Sequence, residues 1–155
     1  MAEPAAPLLA SPSMTLAAIG QRLREAIEDR IAPLDITLRH LGALGHLVHR
    51  PELSYSDLAR RAQVTSQSMR ATIAQLAELG AVSIEAPGQG RSAALRVTPA
   101  GHELLEEARA RITDLDAALT EGTVLDAEAL RAFVGVAMQV ATQLREIQTD
   151  GADPL

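Results

Sequence analysis

The chain of 155 residues contains no cysteine, no lysine and almost no aromatic side chains. Without cysteine it can have neither a disulfide framework, nor a thiol nucleophile, nor a Cys-ligated zinc site. No apolar run reaches the length of about 18 residues that a transmembrane helix needs, so we expect no membrane partner. Residues 1–13 carry Glu3 as their one charge and lack a basic segment, so we expect no secretory signal. These absences favour a cytoplasmic protein.

The net charge of −6 argues at first against a nucleic-acid partner, because such proteins usually present a basic face. The charges are nevertheless distributed unevenly along the chain. Residues 52–101 hold five arginines and four acidic residues, whereas residues 102–155 hold four arginines and eleven acidic residues. The middle of the chain can therefore still meet phosphate.

Apolar residues at helical spacing predict two helices in the first third of the chain. The first covers residues 14–31 and ends before Pro33, and the second covers residues 37–49 and ends before Pro51. Residues 1–13, rich in proline and alanine, predict a disordered arm.

The segment from residue 54 to residue 80 has the pattern of a helix-turn-helix. Ser54 can cap a short helix, Thr65 can cap a second helix, and Gly80 supplies its left-handed end. The second helix carries small polar residues at its start and buries a stripe formed by Met69, Ile73 and Leu76. Helix, short turn and helix are typical of this DNA-binding motif.

A β-hairpin follows, because the apolar period changes from 3.6 to 2. Val82 and Ile84 alternate with polar neighbours, as do Leu95 and Val97, and a turn-forming Pro-Gly-Gln-Gly segment separates the two runs. A helix-turn-helix with a hairpin is a winged helix. The predicted fold class is therefore mainly α with a small β-hairpin wing.

In a winged helix the second helix enters the major groove, and an arginine at the hairpin tip reaches the neighbouring minor groove. Glutamine can bond adenine bidentately, arginine can bond guanine, and hydroxyl groups and first-turn amides suit phosphate. The candidate DNA-binding residues are Thr65, Ser66, Gln67, Ser68, Arg70 and, at the hairpin tip, Arg91.

Two further helices close the chain, the first opened by Thr98-Pro99 and the second capped by Asp126. The last helix has a heptad-like apolar seam. The stripes of the first and last helices are too long for one small domain to bury alone, which predicts a homodimer. The predicted divisions are an arm (1–13), a dimerisation helix (14–36), the winged helix (37–98), C-terminal dimerisation helices (99–148) and an acidic tail (149–155).

Several ordered segments together resemble a known family. They are Leu38–Leu44, Ser54–Arg61, Val64–Arg70, Leu76–Val82, and Arg91 placed seven residues before Thr98-Pro99-Ala100-Gly101. On these segments the sequence resembles the MarR regulators, winged-helix transcription factors of bacteria and archaea, over residues 14–148.

The resemblance implies a homodimer whose two winged helices bind pseudo-palindromic half-sites of double-stranded DNA about 34–36 Å apart. It also implies a small-molecule effector, often anionic or phenolic, that binds between the dimerisation and DNA-binding parts and releases the DNA. Arg22, Arg24 and His40 are the candidate effector residues, since they can hold a carboxylate by charge-assisted bonds.

The wing departs from the family pattern. Many members have an aspartate two residues before the wing arginine, where this chain has Gln89 between Gly88 and Gly90. That departure predicts a mobile wing and modest affinity. Because basic charge is sparse, the alternative function is a dimeric winged-helix protein-interaction module with little DNA affinity.

The sequence predicts no cofactor, no metal site and no enzyme activity. His102 and Glu106 have a spacing that zinc can use, which leaves a zinc-responsive sensor as a third hypothesis, but solvated histidines are the simpler interpretation. No glycine-rich phosphate loop follows a strand, and no nucleophile elbow is present.

Overall fold

The computed structural model describes residues 11–85, 94–121 and 126–150, and it shows a mainly helical chain with one antiparallel hairpin. This confirms the predicted fold class. Its elements are α1 (Pro12–Ile31), a 3-10 turn (Ala32–Leu34), α2 (Leu38–His49), α3 (Tyr55–Arg61), α4 (Ser66–Glu78), β1 (Val82–Glu85), β2 (Ala94–Val97), α5 (Pro99–Glu121) and α6 (Ala127–Asp150). The described residues up to Leu115 form one compact unit and those from Asp116 onward a second.

Helix α1 begins at Pro12, so residues 12 and 13 are helical and the predicted arm is two residues too long. The reason is local. Proline suits the first position of a helix because its ring fixes φ and its missing N–H is not needed there. Ser11 precedes it with extended backbone angles. The rest of the arm, residues 1–10, lies outside the described residues.

The predicted caps at Ser54 and Thr65 are confirmed. The Ser54 hydroxyl accepts a hydrogen bond from the backbone N–H of Asp57 at 3.2 Å, and Thr65 accepts one from the N–H of Ser68 at 3.1 Å. Each bond satisfies a backbone donor that the helix itself leaves free. Between the two helices Gln63 adopts a left-handed φ of 54°, which turns the chain from α3 into α4.

The core of the first unit lies where α2, α3, α4 and the hairpin meet. Its members are buried apolar side chains from all of these elements: Ala43, Leu44, Leu47, Leu53, Leu58, Ala59, Met69, Ile73, Leu76, Ala81, Val82 and Leu95. A smaller cluster of Ile31, Ile36 and Ala108 packs beside the end of α1. Because α4 buries its Met69 stripe in the larger cluster, its opposite side is left for solvent or a partner.

The base of the hairpin is tied to the start of α5. Val82 pairs with Val97, and the Thr98 hydroxyl donates to the carbonyl of Gly80 at 2.6 Å while accepting from the N–H of Gly101 at 3.1 Å. A Cβ on Gly101 would lie 2.1 Å from the carbonyl oxygen of Ala81. Only glycine therefore lets α5 approach the hairpin so closely.

Helix α6 presents apolar side chains to solvent over most of its length. The exposed fractions reach 62% at Met138 and 67% at Ile147. The Asp126 carboxylate accepts from the N–H groups of Glu128 and Ala129, which confirms the predicted cap. Within residues 11–85, 94–121 and 126–150, no helix combines the length and apolar character needed to cross a bilayer.

Candidate nucleic-acid interface and adjoining cavity

The outer side of α4 carries the polar side chains predicted to contact bases. Ser66, Gln67 and Arg70 are exposed, whereas Met69 and Ile73 are fully buried behind them. Their spacing places these three side chains on one side of the helix, close to its N-terminus. That side offers hydroxyl, amide and guanidinium groups, which are the types that hydrogen-bond to base edges and phosphates.

Two of the predicted DNA-binding residues are already occupied by the cap of α4. The Thr65 hydroxyl donates to the Ser68 hydroxyl at 2.9 Å and accepts from the Ser68 backbone N–H. Ser68 is also half-buried. Both side chains therefore shape the start of α4. The Thr65 hydroxyl has one lone pair left for a partner, whereas the Ser68 hydroxyl keeps its O–H donor and one lone pair.

The Arg70 guanidinium lies over the ring of Tyr55, with its central carbon 5.3 Å from the ring centroid. Tyr55 belongs to α3, and its half-buried ring also packs against the core. This geometry is that of a cation–π contact, which restricts the long arginine side chain. The sequence pattern predicted a role in DNA binding for Arg70 but indicated no contact between Arg70 and Tyr55. A tyrosine on α3 beside an arginine on α4 was the available signal.

A pair of opposite charges lies on α3. The Arg60 guanidinium forms an ion pair with the Asp57 carboxylate. The pKa of Asp57 is lowered, chiefly because the Ser54 hydroxyl donates to its carboxylate and also because Arg60 lies beside it. Asp57 thus neutralises part of the positive charge on α3, and Arg61 contributes the next exposed cation on that helix.

The predicted wing residue Arg91 lies outside the described residues, as does Gln89. On the described strands, Arg96 of β2 donates to the Glu85 carboxylate of β1 at 2.9 Å. This pair joins the two strands diagonally, because Arg96 lies opposite Ser83 and Glu85 lies opposite Ala94.

A cavity of about 740 Å³ adjoins α4 on the side away from the outer reading residues. Helices α1 and α2, the turn between α3 and α4, and α4 itself line it. The charged and polar side chains that matter for a ligand are Arg24, Glu28, Arg39, His40, His46 and Gln75. Arg24 pairs with Glu28 at 3.8 Å, and Glu28 accepts from the backbone N–H of Leu38 at 3.2 Å.

His40 is a buried polar residue of this cavity, with 7% of its surface exposed. Its Nδ1 accepts the backbone N–H of Thr37 at 3.0 Å, so the ring proton resides on Nε2. Nε2 lies 2.9 Å from Oε1 of Gln75, to which it donates. One neutral imidazole therefore joins the first turn of α2 to α4.

The structure brings two of the three candidate effector residues together. Arg24 and His40 both line the cavity, whereas Arg22 is exposed and is not among the lining residues. The cavity also contains His46 and Gln75, which sequence reasoning did not assign to it. Nothing in the sequence indicated that Gln75 lines the cavity, because it is one of several polar residues on α4. Among the described residues, no three His, Asp or Glu side chains are grouped so as to hold a metal ion.

Comparison with known proteins identifies a family, a sequence relative and two solved structures. A family model described as MarR family matches residues 34–92. The HTH-type transcriptional repressor Rv2887 of Mycobacterium tuberculosis is 35% identical over 100 residues, which cover 64% of this chain and 72% of the relative.

Two solved structures of the M. tuberculosis MarR family protein Rv2887 have the same fold. One, in complex with DNA, gives a TM-score of 0.71 at 29% identity and covers 84% of this chain and 98% of that one. The other, in complex with salicylic acid, gives a TM-score of 0.66 at 31% identity and covers 88% and 98%.

Proposed function

This chain belongs to the MarR family, and from that premise we propose that it is a DNA-binding transcriptional repressor of adjacent genes, released by a small-molecule effector. The proposal makes it a cytoplasmic regulator and assigns it no catalytic activity. A related protein of known structure was crystallised with DNA and, separately, with salicylic acid. Both kinds of partner fit features of this chain.

The observation that carries the proposal is the outer side of α4. Ser66, Gln67 and Arg70 are exposed beside one another, while the helix is fixed from behind by Met69, Ile73 and Leu76. A rigid helix with a polar, exposed first half is what insertion into the major groove requires. Thr65, Ser68 and Arg91 complete the proposed interface, the first two through the cap and the third from the wing.

We propose a homodimer because apolar side chains on two helices stay exposed in the single chain. Phe133, Leu144 and Ile147 of α6 are 48–67% exposed, and Met14, Leu16 and Ile19 of α1 are 43–47% exposed. Monomeric proteins rarely leave so many large apolar side chains in water. A two-fold dimer also supplies the two reading helices that a pseudo-palindromic operator needs.

We propose that the cavity beside α4 holds the effector. Its volume of about 740 Å³ lies within the usual range for small-ligand sites, about 300–1,000 Å³. Arg24 and Arg39 supply cationic donors, and the buried His40 supplies a neutral one. A small aromatic acid such as salicylate matches that donor set by its carboxylate. Arg22 is left as a solvent-facing residue of α1.

Selection of operators from random duplexes, followed by anisotropy titration, tests the proposal. We expect Gln67→Ala to relax base preference and Arg91→Ala to weaken all sequences about equally. In this proposal Gln67 faces base edges, whereas Arg91 reaches the minor groove, where the negative potential attracts it. Failure to enrich any sequence at low salt would favour the protein-interaction module instead.

A further inference from the structure

We infer that His40 is a positioning residue that holds α4 in its DNA-competent placement through its hydrogen bond to Gln75. When an acceptor group binds in the cavity, the Nε2–H of His40 donates to that group instead of to Gln75. The inference rests on the proposed function and deepens it. It assigns the coupling between effector and DNA to a single hydrogen bond, whose two residues lie 35 positions apart in the sequence.

The direction of that hydrogen bond is fixed by the backbone. Because the Thr37 N–H points at Nδ1 at 3.0 Å, Nδ1 must be the acceptor and Nε2 must carry the proton. The Thr37 hydroxyl oxygen lies 3.1 Å from the same Nδ1 and leaves it no further role. His40 can therefore serve Gln75 only as a donor.

The bond connects two elements with different tasks. His40 lies in the first turn of α2, and Gln75 shares one side of α4 with Ser68 and Thr72, at positions spaced by four and three residues. Thr72 also lines the cavity and bonds the Ser68 carbonyl at 2.9 Å. A movement of Gln75 therefore displaces the side of α4 that also carries Ser68, which belongs to the N-terminal cap of the helix.

A carboxylate in the cavity competes with Gln75 for the same proton. The Nε2–H can make one linear hydrogen bond, and a charged acceptor makes a stronger one than an amide oxygen does. Arg24 of α1 and Arg39 of α2 line the same cavity and attract such an anion. Ligand binding therefore breaks the His40–Gln75 bond and releases α4 from α2.

Two substitutions at position 40 separate this role from capping. In His40→Asn the amide oxygen replaces Nδ1 and keeps the acceptor for Thr37, but the side chain cannot reach Gln75. In His40→Gln the terminal amide nitrogen replaces Nε2 and keeps the donor for Gln75, but the Nδ1 acceptor is lost. Gln75→Met removes the acceptor from α4 at nearly constant shape.

The experiment measures the operator Kd with and without salicylate for each protein, and the salicylate Kd by calorimetry. We expect His40→Asn and Gln75→Met to bind operator about 10- to 100-fold more weakly without salicylate, as the loss of one hydrogen bond in each of two protomers implies. Salicylate should raise the operator Kd of these two variants less than it raises that of the wild type, and the two increases should differ by the same factor. Gln75→Met should bind salicylate at least as tightly as wild type, while His40→Gln should keep the wild-type response.

A wild-type salicylate response in His40→Asn and Gln75→Met would overturn the inference, as would loss of salicylate binding in Gln75→Met. If wild type itself binds no operator, the proposed function fails and the inference fails with it. A second measurement is independent of DNA. The imidazole ¹⁵N spectrum should show His40 with its proton on Nε2, and salicylate should shift that signal; the opposite tautomer would refute the argument.

Discussion

Replacement of Tyr55 by leucine tests whether the ring prepares Arg70 for base contact. Leucine keeps apolar packing against the core but removes the aromatic face that lies 5.3 Å from the Arg70 guanidinium. An exposed cation–π contact contributes about 0.5–1 kcal/mol. Because a dimer has two such contacts, the operator affinity should fall by about 1–2 kcal/mol, or about 5- to 30-fold.

A double-mutant cycle with Arg70→Ala makes the measurement specific. Anisotropy titrations at constant salt, on the operator and on variants changed at one base pair, should show a coupling energy of about 0.5–1 kcal/mol per protomer between positions 55 and 70. The loss should be concentrated at the base pair that Arg70 contacts. Tyr55→Phe is the matched control, because it keeps the aromatic face and loses only the hydroxyl.

Two results would refute this reasoning. One is additivity of the Tyr55→Leu and Arg70→Ala effects, which would mean that the ring does not act through Arg70. The other is a Tyr55→Phe variant as weak as Tyr55→Leu, which would assign the effect to the hydroxyl group.

Three further predictions concern stability and are measured by urea unfolding. Gln63→Gly should raise the free energy of unfolding by about 0.5–1 kcal/mol, since glycine adopts the φ of 54° without steric cost but loses more entropy on folding; an unchanged or lower value would contradict it. Gly101→Ala should lower that free energy by about 2 kcal/mol or more, because its Cβ would meet the Ala81 carbonyl at 2.1 Å; wild-type stability would show that α5 can shift freely. Because the pKa of Asp57 in the folded protein is lowered from its ordinary value of 3.8, the ionised carboxylate stabilises the fold above that pH. This contribution is lost as the pH falls through the folded-state pKa. Ser54→Ala should therefore flatten the acid limb of the stability profile, and an unchanged acid limb would exclude this pair as its source.

The sequence was sufficient wherever the determining interaction is local. Ser54, Thr65 and Asp126 each cap a helix by bonding N–H groups two or three residues away, so the residue type and its position already indicate the helix start. The alternation of Val82 and Ile84 also indicated strand β1 correctly, but only Val82 is buried and Ile84 is 45% exposed. Pro12 misled the prediction because proline favours both disordered segments and the first position of a helix.

The cavity could be anticipated only in part, because it depends on contacts between distant segments. Arg22 and Arg24 are two residues apart and therefore point to different sides of α1, and periodicity alone does not say which side meets α2. Only Arg24 lines the cavity. The partner of His40 lies 35 residues away on another helix, so nothing near either residue in the sequence indicates the bond.

The most direct test of the central claim is the operator affinity of the wild-type protein as a function of salt. A DNA-binding dimer should bind its selected operator more tightly than a scrambled duplex, and log Kd should rise linearly with log salt as phosphate contacts release counterions. Because residues 52–101 carry only five arginines, we expect a shallow slope and weak binding to the scrambled duplex. No binding of either duplex at micromolar protein and low salt would contradict the account.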